Sequence, residues 1–141
     1  MASANVNLVR SIDAEWERGD YSSVEWAHPE IEYVIADGPS PGSWTGPAAL
    51  AEGTRDWLSA FEGFHIAPEE YRELDVERVL VLIEFRGRGK RSKVDLREIH
   101  SGGLHLFHIR QGKVEKLIRY FDRERAFAEL GLSADAGSSV S

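Results

Sequence analysis

Three residues of this 141-residue chain stand where a side chain could move a proton or polarise a ligand: Asp37, His105 and Arg119. Asp37 ends the apolar run Tyr33-Val34-Ile35-Ala36 and precedes a stretch with two prolines and two glycines, Gly38 to Gly42. A carboxylate there is either a turn former that hydrogen-bonds its own loop or an acid–base group facing a pocket. His105 and Arg119 lie in two strand-like runs, 103–110 and 113–121, joined at Gln111-Gly112. Strand side chains alternate, so His105 shares a face with Phe107 and Ile109, and Arg119 with Glu115, Leu117 and Phe121. If Asp37 faces a cavity, Tyr33 and Ile35 face it too. A carboxyl group in such apolar surroundings has its charged form disfavoured by desolvation and favoured by a nearby arginine. Poised between the two it moves protons near neutral pH, which contributes roughly 10²–10⁴-fold in rate. Each residue also has a plain reading: Asp37 as a turn residue, His105 as a hydrogen-bonded core histidine, and Arg119 as a cross-strand partner of Glu115 or Glu84.

Other chemistries find little support. The chain has no cysteine, which removes disulfides, thiolate metal sites and thiol nucleophiles. His28, His65, His100 and His108 are scattered, and only His105 and His108 lie close together, so no metal site is expected. The stretch GRGKRSK (87–93) lacks the spacing and following helix of a phosphate loop. No Ser-His-Asp order with a nucleophile elbow is present, and no cofactor is expected. Seventeen basic against 24 acidic residues leave a net charge of −7, which argues against nucleic acid as a partner. The one basic cluster, Arg86, Arg88, Lys90, Arg91 and Lys93, is interleaved with glycine and reads as a solvated turn. No run reaches the roughly 20 apolar residues of a membrane span. The first residues hold no apolar h-region, so a signal peptide is not expected and a cytoplasmic location is.

The elements that must position these residues follow from periodicity and punctuation. The length favours one domain, able to bury roughly 70% of its unfolded surface. Val9, Ile12 and Trp16 predict a helix over 6–18, stopped by Gly19, with a short helix over 21–27 capped by Asp20 and ended before Pro29. A strand over 31–36 leads into a loop over 38–46. Pro47 opens a helix over 47–61 whose inner stripe holds Leu50, Thr54, Trp57 or Leu58, and Phe61. Strands are predicted over 64–74, 77–86, 93–100, 103–110 and 113–121, and the unbroken VLVLI of the second predicts burial on both faces. Asp122 caps a helix over 123–130 that Gly131 ends, with Leu132 folding back on Phe127. The domain is expected over 1–132, and the small, polar tail 133–141 is expected to be disordered. Helices followed by strands in series predict an α+β fold, with a mostly antiparallel sheet curled over the helices to enclose a cavity. The outer sheet face, with Leu104, Leu106, Ile118 and Tyr120, is expected to lie bare in one chain, and so to pair two chains as a homodimer.

The stretches AEWERGDYSSVEWAHPEIEY (14–33), WTGPAAL (44–50), GRGKRSKVDLREIHSGGLHLFHIRQGKV (87–114) and YFDRERAFAELGL (120–132), in this order, resemble the SnoaL-like branch of the nuclear transport factor 2 superfamily. The resemblance covers about residues 5–132. It implies a cone-shaped, strongly curved sheet wrapped around N-terminal helices. It also implies that the faces of His105 and Arg119 line the pocket, which sets Asp37, His105 and Arg119 inside a shell of Trp16, Tyr33, Trp57, Phe107 and Phe121. The opening stretch is similar to that of ketosteroid isomerase, whose catalytic aspartate stands nine residues before the glycine that opens the helix. Asp37 and Gly46 have that separation. Carried over, one oxyanion donor falls on His105 and the other on Ile12, so a base is kept, one donor is changed and the other is lost. The family hosts cofactor-free isomerases, cyclases and dehydratases as well as non-catalytic binders. For an enzyme a small, mainly apolar ligand is implied; for a binding or structural protein, a pocket that holds a ligand or is filled by its own side chains.

Overall fold

A computed structural model describes residues 3–18, 25–37, 41–58, 61–89, 98–132 and 138–140; the side chains of 56–65, 85–101 and 138–140 lie outside the description. Helix α1 (Ala4–Glu17) starts at Ser3, whose hydroxyl accepts from the Val6 amide at 3.2 Å. Strand β1 spans Ala27–Ile35, so Ala27 is extended, and Glu25 and Trp26 form a turn, where the end of a second helix was expected. Residues 21–24 of that expected helix lie outside the described residues. Pro29 falls where the pairing of β1 with its neighbour shifts register, a place where a missing N–H costs no ladder bond. Part of the expected loop is an edge strand, β2 (Gly42–Thr45), paired with β1. Helix α2 (Pro47–Leu58) opens at Gly46, which takes φ +93° and whose carbonyl accepts from the Leu50 amide.

Three of the remaining strands are longer than periodicity predicts, β3 (Phe61–Glu73), β4 (Arg78–Gly89) and β5 (Glu98–Arg110), while β6 (Lys113–Tyr120) follows the predicted run to within one residue. Pro68 is absorbed at a register shift instead of breaking β3. Residues 98–100 and the run 103–110 merge into β5 because Gly102 and Gly103 stay in register with Glu84 and Ile83; residues 93–97 of the expected strand lie outside the described residues. Gln111 and Gly112, at φ 52° and 75°, form the tight turn into β6. Helix α3 (Arg123–Leu130) is capped by Asp122 and ends at Gly131 in the left-handed region, with the Leu132 amide donating to the Phe127 carbonyl. Strand β7 (Ser138–Val140) pairs with β3 at the edge of the sheet; residues 133–137 and 141 of the tail lie outside the described residues.

These strands form one mixed sheet in the order β2-β1-β6-β5-β4-β3-β7, antiparallel throughout except for β1 beside β6. The fold is α+β. One face carries Tyr33, Ile35, Val79, Val81, Ile83, Phe107, Ile109 and Leu117, and packs on the α1 side chains Val6, Val9, Ile12 and Trp16 and on Leu50 of α2. The other face carries Leu80, Leu82, Leu104, Leu106 and Tyr120. Strand β4 is thus buried on both sides, as its composition predicts. The expectation that the second face lies bare is corrected: Ala126, Phe127, Leu130 and Leu132 of α3 and its C-terminal cap cover it, and Leu104 and Leu106 are at most 1% exposed. Arg123 fastens α3 there by donating to the carbonyls of Ile83 (2.9 Å) and Gly103 (3.2 Å).

Candidate functional site

Register lines up the polar side chains of the α1 face. Ile35, Arg119, His105, Val81 and Tyr71 stand side by side across β1, β6, β5, β4 and β3. Period-two alternation sends this row toward α1, and Arg119 and His105 are at most 2% exposed. The structure therefore brings together two of the three residues expected to do chemistry. The Arg119 guanidinium carbon lies 4.4 Å from the Trp16 ring centre and 5.4 Å from that of Tyr33, both within cation–π range. The His105 ring meets Trp16 edge-on at 5.7 Å and Phe107 at 6.2 Å. Burial, and then the positive charge of Arg119, hold the His105 imidazole well below its usual pKa, so it is neutral. Neither of its ring nitrogens has a hydrogen-bond partner among the described residues. The same holds for the Tyr33 hydroxyl and for the Thr54 hydroxyl of α2.

Asp37 is placed differently. It is buried, and alternation from Tyr33 and Ile35 carries through to it. Its carboxylate, however, accepts from two backbone amides past the end of β6, Phe121 at 2.5 Å and Asp122 at 3.2 Å. It spans the gap between the ends of β1 and β6, where unpaired amides would otherwise be buried. Its negative charge is felt by Tyr120 and Arg125. This is a turn-fastening role, although the turn is that of another strand and not its own loop. Of the expected shell, Trp16, Tyr33 and Phe107 surround Arg119 and His105, and Phe121 is half-buried against the same core. The Trp57 side chain lies outside the described residues.

One carboxylate of the interior was missed. Asp13 lies on the buried face of α1 and is 2% exposed. Its Oδ2 accepts from the Tyr71 hydroxyl at 2.9 Å, and its Oδ1 has no hydrogen-bond partner among the described residues. Burial pushes the Asp13 pKa up to about 7; the Tyr71 bond and the Arg119 charge oppose this, and the Glu17 charge adds to it. Burial and the Asp13 charge in turn raise the Tyr71 phenol above its usual value. The signal was in the sequence: Val9, Asp13 and Trp16 sit at i, i+4 and i+7 of one helix, so an acid occupies the apolar stripe. Counting Ile12 in its place hides it.

On the opposite side of the sheet, His28, Glu30, Glu32, His108, Glu115 and Lys116 line an open polar cleft. Burial, then Lys116 and Arg78, hold His108 below its usual pKa. Among the described residues no group of three or more His, Asp or Glu is placed to hold a metal ion, and no helix is long and apolar enough to cross a membrane.

Solved structures share this architecture. TerC, crystallised with polyporic acid, is 24% identical and superposes with a TM-score of 0.73 over 91% of this chain and 98% of its own. A nuclear transport factor 2-like protein of Burkholderia pseudomallei is 20% identical, with a TM-score of 0.75 over 90% of this chain and 97% of its own. Another, of Burkholderia xenovorans, is 28% identical, with a TM-score of 0.66 over 89% and 94%. No curated protein matches. The SnoaL-like domain matches residues 8–117, most of the chain, ending within β6 two residues before Arg119, and the chain belongs to that family.

Proposed function

We propose that the space between α1 and the sheet binds a small, mainly apolar ligand and acts on it by acid–base chemistry without a cofactor, as an isomerase, cyclase or dehydratase. The observation that carries this reading is the group of buried polar atoms with no hydrogen-bond partner among the described residues: both His105 nitrogens, the Tyr33 hydroxyl and Asp13 Oδ1, gathered around Arg119, Trp16 and Phe107. Buried polar groups are almost always hydrogen-bonded, so such a cluster is a binding site in need of a partner. Aromatic walls favour a flat apolar body, and the neutral imidazole and the guanidinium favour an oxygen on it. Binding of polyporic acid by TerC, a protein of the same fold, agrees with a ligand of this kind.

A non-catalytic binder is the second reading, and one observation favours it: both oxygens of Asp37, the acid expected to be the base, are engaged by backbone amides. The test is native mass spectrometry of the purified protein, followed by thermal shift with small aromatic ketones and hydroxyquinones. Binding that His105→Leu abolishes supports the site; a protein with nothing bound and no response overturns it. A cytoplasmic site of action fits the absence of cysteine. Pairing into a homodimer now rests on the half-buried Val34 and Ile118, neighbours across β1 and β6 on the second sheet face. Light scattering that gives a species of 15.8 kDa would overturn it.

A further inference from the structure

We propose that Asp13, held by Tyr71, is the acid–base group of the interior site, its Oδ1 meeting the ligand while Oδ2 stays on the phenol. This rests on the binding site proposed above and adds the residue that moves the proton. The substrate class is a neutral compound with a C–H acidified by an adjacent unsaturated polar group, such as a carbonyl.

The geometry divides the work between the two carboxylate oxygens. Oδ2 is taken by the Tyr71 hydroxyl at 2.9 Å, which fixes the rotamer, and Oδ1 is buried without a partner among the described residues. A buried acceptor in that state costs free energy unless a ligand supplies a donor or the carboxyl takes up a proton. Asp13 is carried by α1, on the same buried face as Trp16, and Trp16 lies against both Arg119 and His105. Among the described residues the groups that bear on it are Tyr71 from β3, Arg119 from β6 and Glu17 from its own helix. Arg10 sits over the Tyr71 ring at 5.1 Å, and His105 of β5 is neutral beyond Trp16. Burial against these opposing charges leaves the carboxyl half ionised near neutral pH, where a general base is most effective. Asp37 offers no comparable atom, since both its oxygens hold amides.

The proton transfer can be read with 5-nitrobenzisoxazole, whose ring opening needs only a base. The Asp13 carboxylate takes the C3 proton, the C–H pair becomes the third bond of the nitrile, and the N–O bond breaks. Its electron pair leaves on the phenolate oxygen, and Asp13 returns its proton to solvent. The full-length protein is expected to open this probe with kcat/KM rising through about pH 7 and then levelling. Asp13→Asn should lower kcat at least about tenfold with probe binding, measured by equilibrium dialysis, unchanged. Tyr71→Phe should lower kcat/KM at pH 7 and move the midpoint upward, because the lost bond fixes the carboxylate rotamer and favours the ionised form. This variant also serves if Asp13→Asn fails to fold. Bound probe with no turnover, a midpoint that Tyr71→Phe leaves in place, or loss of the pH profile in Asp37→Asn instead of Asp13→Asn would each overturn the assignment. A probe that does not bind at all would overturn the binding site itself, and the assignment with it.

Discussion

Asp13→Asn should stabilise this protein at neutral and basic pH and do little in acid. The carboxyl titrates at 3.8 in the unfolded chain and at about 7 in the fold. A raised folded pKa means that the native state binds the proton more tightly, so this contribution is fully present below about pH 4 and is lost as pH rises through 7. The shift of 7 − 3.8, about 3 pKa units, corresponds to about 4 kcal/mol at about 1.4 kcal/mol per unit. About 3 kcal/mol of it falls between about pH 5 and pH 8, since roughly one unit is already lost by pH 5. Asn is nearly isosteric, keeps an acceptor for the Tyr71 hydroxyl and never ionises. Urea unfolding of parent and variant at the two pH values, taken as a difference, cancels the other titrating groups. The variant should gain about 3 kcal/mol relative to the parent between the two conditions. An equal difference at both would show that Asp13 is not held neutral by burial. A variant weaker at the higher pH would show that the Arg119 charge outweighs desolvation, and would refute the reasoning outright.

Asp37→Ala should cost about 2–4 kcal/mol in urea unfolding, because it leaves the partly buried Phe121 and Asp122 amides without their acceptors; a loss below about 1 kcal/mol would remove the turn-fastening role. Gly53→Ala should lower thermal stability by about 1–3 kcal/mol despite better helix propensity, since a Cβ there meets the Trp44 ring at 2.7 Å. An unchanged melting temperature would mean that Trp44 moves aside freely. Gly131→Ala should cost about 1 kcal/mol in the same assay, because the residue sits at φ 67° with nothing near it, so only backbone strain is tested.

How much of this was legible in the chain follows from the range of each force. Helix α3 was, cap for cap, because Asp122, Gly131 and Leu132 act within one turn of their own positions. So were the double burial of β4 and the shared face of His105 and Phe107, since strand alternation is local. The lengths of β3 and β5 were not. Proline and glycine read locally as breaks, while pairing with the neighbouring strand β4 carries the backbone through Pro68 and through Gly102-Gly103. That α3 covers Leu104 and Leu106, leaving no bare face there, depends on where a distant helix lands. The site divides the same way. Composition and spacing place His105 and Arg119 on strands, but only the pairing of β5 with β6 sets them opposite each other. Asp37 has the local context of a turn residue and of a base alike, and two amides just past the end of β6, more than 80 residues later, hold both its oxygens. Asp13 is one acid in a helix until β3 brings Tyr71 to it from 58 residues away and the sheet removes its water. Desolvation is a property of everything that surrounds a group, so the sequence alone determines which residues can titrate, and the tertiary structure decides which of them does so near neutral pH.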